Sequence, residues 1–211
     1  MLPVKALPAA KSRLLPAVTD PEQHRVLVEA VRDDTLAAAR AADGVARVLV
    51  VTDRRPDRPG RPKLPELPDL PDLLVQTRPG LNAALAEAAA HAASRWPADG
   101  VVALVGDLPA LRPAELAAAL AEAAGHDRSF VPDAPGTGTT MLAARPGTPL
   151  GPAFGPDSAA RHAAVAVALP GGPGLRFDVD TAADLRAAAE LGLGPATAAV
   201  LGCPAGFARS P

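Results

Sequence analysis

Cysteine occurs once in the 211 residues, at Cys203, and tyrosine not at all. A single cysteine excludes a disulfide framework and a cysteine-based metal centre, and it fits a reducing, cytoplasmic setting. Aromatic residues make up only 2% of the chain, so the stacking platforms that bind single-stranded nucleic acid are missing. Charge of one sign is not in excess either. The net charge is −2 with both signs interspersed, which gives no basic face for nucleic acid. No apolar run approaches the about 20 residues of a membrane helix. Lys5, Lys11 and Arg13 interrupt any apolar leader at the N-terminus. Several chemical signatures are also lacking. There is no G-x-S-x-G elbow, no glycine-lysine pair of the Walker type, and no G-x-G-x-x-G in the first strand-to-helix turn. Cys203 has no partner for nucleophilic catalysis. His24, His91, His126 and His162 show no metal-ligand spacing, and His24 and His91 fall mid-helix as structural or exposed residues.

What is present is a hydrophobic content of 48%, enough for a substantial core. No internal repeat or second domain is apparent, so residues 1–211 read as one domain. The 25 prolines punctuate loops and the many alanines fill helices, a compositional bias with little functional content. Strand and helix signals alternate almost throughout. Leu2-Pro3-Val4 is a strand stub. Asp20-Pro21 opens a helix that runs to about Ala42 on a stripe of Leu27, Val31 and Ala38, and Gly44 ends it. Val45 to Thr52 is a strand. Residues 54–71 are a proline-rich excursion, after which Leu73 to Gln76 resumes the fold. A helix opens at Leu81 and another at Pro113. Ser129 to Val131 and Met141 to Ala143 are strands, Ser158 caps a helix from Ala159, and Leu175 to Asp180 is a strand. Thr181 to Asp184 opens the last long helix, which stops near Gly192, and residues 195–211 form a C-terminal tail. The pattern predicts a three-layer α/β/α fold with a mainly parallel, mixed sheet.

Three groups of residues stand out. Val101 to Pro109 is a valine-rich run of the kind buried in the middle of a parallel sheet, and it stops at Gly106-Asp107. Ligands of open α/β sheets bind at the carboxyl ends of strands. Asp107 thus either faces a ligand or caps the next helix. Asp178 and Asp180, at i and i+2 of a strand, point to one face roughly 6–7 Å apart. Side-by-side carboxylates repel unless a cation or a proton neutralises them, and hard oxygens of this kind suit Mg²⁺. The competing reading makes them solvated acids near a helix start. With Asp107 they would converge into a one- or two-metal site.

The second group is the small-residue loop Gly136 to Thr140, together with Gly155 and Ser158. Its backbone N–H groups and hydroxyls would suit an anion, or the loop is a plain hairpin turn. The third is the set of Lys5, Lys11 and Arg13 after the first strand, which would face the phosphates of a nucleotide or lie solvated on the surface.

In this order the motifs resemble one family. Val4-Lys5, Ala10-Lys11-Ser12-Arg13-Leu14, Gly80-Leu81-Asn82, Gly106-Asp107-Leu108-Pro109-Ala110-Leu111, Gly136-Thr137-Gly138-Thr139, Phe154 to His162 and Asp178-Val179-Asp180-Thr181 together resemble the phosphoenolpyruvate/2-phospho-L-lactate guanylyltransferases of coenzyme F-420 biosynthesis. The resemblance covers nearly the whole chain. It implies a nucleotidyltransferase fold and a reaction that joins GMP from GTP to a small phosphorylated acid, with release of pyrophosphate. It implies Asp107, Asp178 and Asp180 as Mg²⁺ ligands, and Thr139, Gly155 and Ser158 as the residues that hold the acid. Lys5, Lys11 and Arg13 would face the GTP phosphates, with Lys11 and Arg13 acting beside Asp107 in catalysis, and Asn82 would lie near the nucleotide. It also points to a homodimer. The short first strand and the proline-rich segment 54–71 depart from the family's pattern.

Three rivals remain at this stage. One is a nucleotidyltransferase with a pterin or sugar-phosphate acceptor, against which the small-acid constellation speaks. Another is a glycosyltransferase using Asp178-Val179-Asp180 as its D-x-D. The last is a nucleotide-binding module without turnover. Phosphoenolpyruvate is favoured over 2-phospho-L-lactate and 3-phospho-D-glycerate by the alanine- and proline-rich composition alone.

Overall fold

The structure is a computed structural model, and it describes residues 2–4, 21–52 and 72–202. The excursion 54–71 and the cations Lys5, Lys11 and Arg13 lie outside the described residues, as does Cys203.

Three strands, β1 (Leu2–Val4), β2 (Leu49–Thr52) and β3 (Asp72–Val75), pair in parallel with β2 in the centre. A second ladder contains β4 (Val101–Leu104), β5 (Arg128–Pro132), β6 (Thr139–Ala144) and β7 (Val167–Ala168), in the order β4-β6-β5-β7. In it β6 runs antiparallel to β4 and β5, while β5 and β7 are parallel. β1 packs beside β4, so the two ladders adjoin.

The apolar runs of these strands are continuous because both faces are covered. Val50 of β2, Leu104 of β4, Val131 of β5 and Met141 of β6 share one core with Leu36 and Ala39 of α1 (Pro21–Ala41) and Leu116 of α3 (Pro113–Ala123). Their strand neighbours Ala103, Phe130 and Leu142 pack on the other side with Leu85 of α2 (Leu81–Arg95), and Leu49 and Val51 pack there with Ala84 and Ala88. Side chains that alternate between two helix-covered faces give three layers. The mixed α/β/α arrangement expected from the strand and helix alternation is therefore the observed one.

The helix signals act locally as read. Pro21 opens α1, where its missing N–H costs nothing, and Gly44 adopts a left-handed φ of 87° after its end. The stripe of Leu27, Val31 and Ala38 is buried.

Four local expectations change. The run Val101 to Val105 does not sit inside a parallel ladder, because the hydrogen-bonded partner of β4 is the antiparallel β6. Val45 to Thr52 is a strand only from Leu49. Residues Leu175 to Asp180 do not form a strand. Pro173 starts a one-turn helix, α5 (Pro173–Arg176), and residues 177–180 continue irregularly outside both ladders. Finally, residues 195–211 are not wholly a tail. α7 (Pro195–Leu201) packs on α1, and the buried Asp34 carboxylate accepts hydrogen bonds from the N–H groups of Ala196 (3.0 Å) and Thr197 (2.7 Å). A carboxylate at that end satisfies two N–H donors that no turn of helix precedes.

Candidate functional site

One end of the second ladder carries Asp107 and Thr139. Asp107 follows β4 by three residues and is half-buried. The pairing of β4 with β6 extends past the strand end, where Val105 N–H donates to Thr140 C=O (2.9 Å). Because these strands are antiparallel, the carboxyl end of β4 meets the start of β6, and Thr139 comes to the same end of the sheet as Asp107. The third segment is tied in directly. Val179 N–H donates to the backbone carbonyl of Asp107 (3.0 Å). Val179 is fully buried, and the chain carries Asp178 and Asp180 on either side of it.

The capping reading of Asp107 fails. α3 begins after Arg112, with Glu115 reaching back to the Arg112 N–H (3.5 Å), so Asp107 is not its cap. α6 (Ala182–Leu191) is capped by Thr181, whose Oγ1 accepts from Asp184 N–H (3.2 Å), while the Asp184 carboxylate accepts from Thr181 N–H (2.8 Å). This reciprocal box caps α6, and of the two acids before it Asp180 is exposed, as the solvated reading has it, while Asp178 is half-buried.

Around the acids, the backbone is fixed by groups that the sequence does not advertise. Thr35 of α1 accepts the Leu108 N–H at its Oγ1 (2.9 Å) and donates to Val31 C=O (3.0 Å). Arg176 donates to Pro132 C=O (3.2 Å) and Asp133 C=O (2.9 Å), stitching the acidic segment to the β5–β6 turn. Among the described residues, no three His, Cys, Asp or Glu side chains stand together as a ready-made metal cage. The expectation of three carboxylates already poised to share metal ions is therefore not met as stated. What is met is the convergence of their backbone segments. The donor set still fits Mg²⁺, which is held by one or two carboxylates completed by water and substrate phosphates.

The small-residue loop is a hairpin turn whose free N–H groups are spoken for. Asp133 accepts from the N–H groups of Thr137 (2.9 Å) and Gly138 (2.8 Å). At α4 (Ser158–Ala163) the N–H groups of Ser158 and Ala159 donate to Gly155 C=O (3.1 Å) and Thr137 C=O (3.0 Å). Ser158 is the first residue of that helix, not its cap. The cap position is Asp157, at a left-handed φ of 54°. The expected backbone anion cradle is thus replaced by hydroxyls. Ser158 Oγ lies 3.2 Å from Thr139 Oγ1, both buried, with Gly155 exposed beside them at a φ of 124°.

Asn82 has a task of its own. Its amide Nδ2 donates to Phe154 C=O (3.0 Å) and its Oδ1 accepts from Phe154 N–H (2.8 Å). The side chain expected near a nucleotide thus clamps the loop that carries Gly155. His162, which lacks metal-ligand spacing, is engaged at both ring nitrogens. Its Nδ1 is 2.9 Å from Thr139 Oγ1, and its Nε2 accepts from Ala153 N–H (3.0 Å). Phe154 meets the ring edge-on at 5.3 Å.

Burial, and secondarily the Arg161 charge, hold the His162 ring below its ordinary pKa of 6.5. The pH dependence follows. Above 6.5 the ring is neutral in both folded and unfolded chain. Below it the unfolded chain takes a proton that the folded protein refuses, so stability falls with falling pH until the folded pKa is passed. The slope from this one group is at most about 1.4 kcal/mol per pH unit. Thermal unfolding midpoints measured between pH 7.5 and 5 should decline, and the decline should be shallower in His162→Asn. Equal slopes would refute the assignment.

Comparison with known proteins gives consistent relatives. The chain is 51% identical over 205 residues to the phosphoenolpyruvate guanylyltransferase of Thermomonospora curvata, covering 95% of this chain and 86% of that protein. It is 49% identical over 211 residues to that of Salinispora arenicola, covering 97% and 94%. No family model matches. Among solved structures, a candidate nucleotide-diphospho-sugar transferase from Desulfovibrio desulfuricans G20 superposes with a TM-score of 0.61 at 20% identity, over 87% of this chain and 82% of that one. Rv0371c from Mycobacterium tuberculosis superposes with a TM-score of 0.50 at 20% identity, over 90% and 96%. At these identities the structural likeness speaks for the fold alone. Among the described residues no helix is long and apolar enough to cross a membrane.

Proposed function

The chain belongs to the phosphoenolpyruvate guanylyltransferase family, a family of nucleotidyltransferases, and from that premise we propose that it transfers GMP from GTP to phosphoenolpyruvate. The observation that carries the reading is the hydrogen bond from Val179 N–H to Asp107 C=O, which sets the Asp178-Val179-Asp180 segment against Asp107 at the end of the sheet where β6 begins with Thr139.

In the reaction, a phosphate oxygen of the acid attacks the α-phosphorus of GTP. The new P–O bond forms as the bond to the bridging oxygen of the β-phosphate breaks, and pyrophosphate leaves. Thr139, Ser158 and the Gly155 turn hold the acid. Asp107, Asp178 and Asp180 would offer the one or two carboxylate ligands that Mg²⁺ takes, with water and substrate phosphates completing its shell, and Mg²⁺ when bound would offset the charge of two anionic substrates. Lys5, Lys11 and Arg13 would supply positive charge for the GTP phosphates, and Asn82 serves by fixing the Phe154 backbone. The product is a step toward coenzyme F-420.

Purified protein incubated with GTP, Mg²⁺ and each of phosphoenolpyruvate, 2-phospho-L-lactate and 3-phospho-D-glycerate, followed by phosphorus NMR, tests the proposal. Pyrophosphate and new phosphorus signals of a P–O–P phosphoanhydride linking GMP to the phosphate of the acid are expected with phosphoenolpyruvate and not with GTP alone. Turnover only with a sugar phosphate or a pterin would reassign the acceptor. Transfer of a sugar from a nucleotide sugar would make it a glycosyltransferase.

A further inference from the structure

The two ring nitrogens of His162 meet opposite demands. At Nε2 the neighbour is Ala153 N–H (3.0 Å), a group that only donates, so Nε2 must accept. The proton of the neutral ring therefore sits on Nδ1, which faces Thr139 Oγ1 at 2.9 Å. Thr139 Oγ1 in turn contacts Ser158 Oγ at 3.2 Å. His162, Thr139 and Ser158 are all buried, so water does not supply alternative partners freely.

Counting hydrogens decides what this chain of three groups presents. His162 Nδ1–H, the Thr139 hydroxyl and the Ser158 hydroxyl bring three hydrogens to two internal contacts. One hydroxyl hydrogen is left over. Were the proton on Nε2 instead, Nδ1 would accept the Thr139 hydrogen, the Ser158 hydrogen would fill the second contact, and none would remain. The tautomer thus sets whether the hydroxyl pair is a donor or is closed on itself. The same ring pins Ala153, next to Phe154, whose backbone Asn82 clamps, and Arg161 Nε holds the Ala153 carbonyl (3.1 Å). One side chain therefore orients the hydroxyls and the loop of Gly155 together.

We propose that His162 is the positioning residue of the acid subsite: as a neutral Nδ1–H donor it turns the Thr139–Ser158 pair into a hydrogen-bond donor aimed at an anionic group of the phosphorylated acid. The proposal rests on the functional reading above and adds the group that prepares the subsite. His162 does not touch the reacting atoms. The low proton affinity of the buried ring agrees, since a second proton on Nε2 would oppose Ala153 N–H.

Two substitutions separate the two nitrogens. His162→Gln can put an acceptor near Ala153 N–H but nothing at the Nδ1 position. His162→Asn can put an amide donor near Thr139 and gives up the Ala153 contact. For His162→Gln the KM for phosphoenolpyruvate should rise about tenfold or more, the size of one lost hydrogen bond to a charged group, with the KM for GTP changed by less than about twofold. His162→Asn should recover most of that loss. Thermal unfolding of both variants identifies any that has simply lost its fold. Equal acid KM values in the two folded variants, or a parallel change in the GTP KM, would overturn the proposal. Nitrogen-15 NMR of the imidazole gives an arm that needs no turnover. A neutral ring protonated at Nδ1 supports the proposal, and a neutral ring protonated at Nε2 overturns it. Wild-type protein inactive with every acid would defeat the functional reading instead, and the NMR signature would still decide the state of His162.

Discussion

Asp107→Ala should lose about 10²–10³-fold or more in kcat/KM while remaining folded. That magnitude is what removal of one preorganised electrostatic group costs at a site where charge develops. The prediction of an intact fold comes from how the segment is held. The Asp107 carbonyl accepts Val179 N–H, and Leu108 N–H reaches Thr35 Oγ1. Both are made by backbone groups of this turn, and truncating the side chain leaves both in place. Leu108, Ala110 and Leu111 stay buried on either side of the chain reversal. The unfolding midpoint should therefore move by no more than a few degrees. Asp107→Asn, which keeps the shape and removes the charge, should fall with the alanine variant. The measurement is pyrophosphate release from GTP, Mg²⁺ and phosphoenolpyruvate. An Asp107→Ala protein with full Mg²⁺-dependent release would remove the aspartate from the mechanism and take the metal-site reading with it.

Gly174→Ala is expected to damage stability and activity together. A methyl group at this position would stand 2.2 Å from the Ala110 carbonyl oxygen and 2.6 Å from Glu115 Oε2. The first of these is backbone, which cannot swing aside. The Gly174 N–H also donates to Glu115 Oε1 (3.3 Å), so the close approach is part of how α5 docks on α3. Relief requires α5 to move, and the chain leaving α5 carries buried Leu175, then Asp178, Val179 and Asp180. Overpacking of this sort costs about 1–3 kcal/mol, which for a chain of this size lowers the unfolding midpoint by roughly 2–10 °C. Because the displaced segment holds two of the three acids, kcat/KM should fall by about tenfold or more beyond any loss of folded protein. Gly125→Ala is the control, since its added methyl meets nothing closer than 3.5 Å. If Gly174→Ala unfolds and turns over like that control, the tight seat of α5 is not what aligns the acids.

The positions of the two acidic groups were legible in the sequence for different reasons. Val101 to Asp107 declared itself because a strand covered on both faces must be apolar at every position, and the run has to stop where it leaves the core. The segment before Asp178 misled for a related reason. Leu175, Phe177 and Val179 alternate with polar residues as a strand would, yet the segment makes isolated backbone bonds, Val179 N–H to Asp107 and Ala134 N–H to Arg176, and joins no ladder. Alternation reports that one side is buried, and it does not report whether a ladder partner exists. Pro173 and Gly174 were the signal for the helical turn. The backbone cradle expected at Gly136 to Thr140 failed on Asp133, whose carboxylate occupies the N–H groups that an anion would need.

By itself the sequence determined the layers, the helix stripes, the ordered motifs and the acid at the end of β4. Each of these depends on residues close in the chain, where periodicity and turn chemistry act. Only the tertiary structure decided the partners. It joined Val179 to Asp107, spent Asn82 on Phe154, and set His162 between Ala153 N–H and Thr139 Oγ1. A side chain's hydrogen-bonding role is fixed by whichever donor or acceptor the fold brings within about 3 Å, and that neighbour comes from a distant part of the chain.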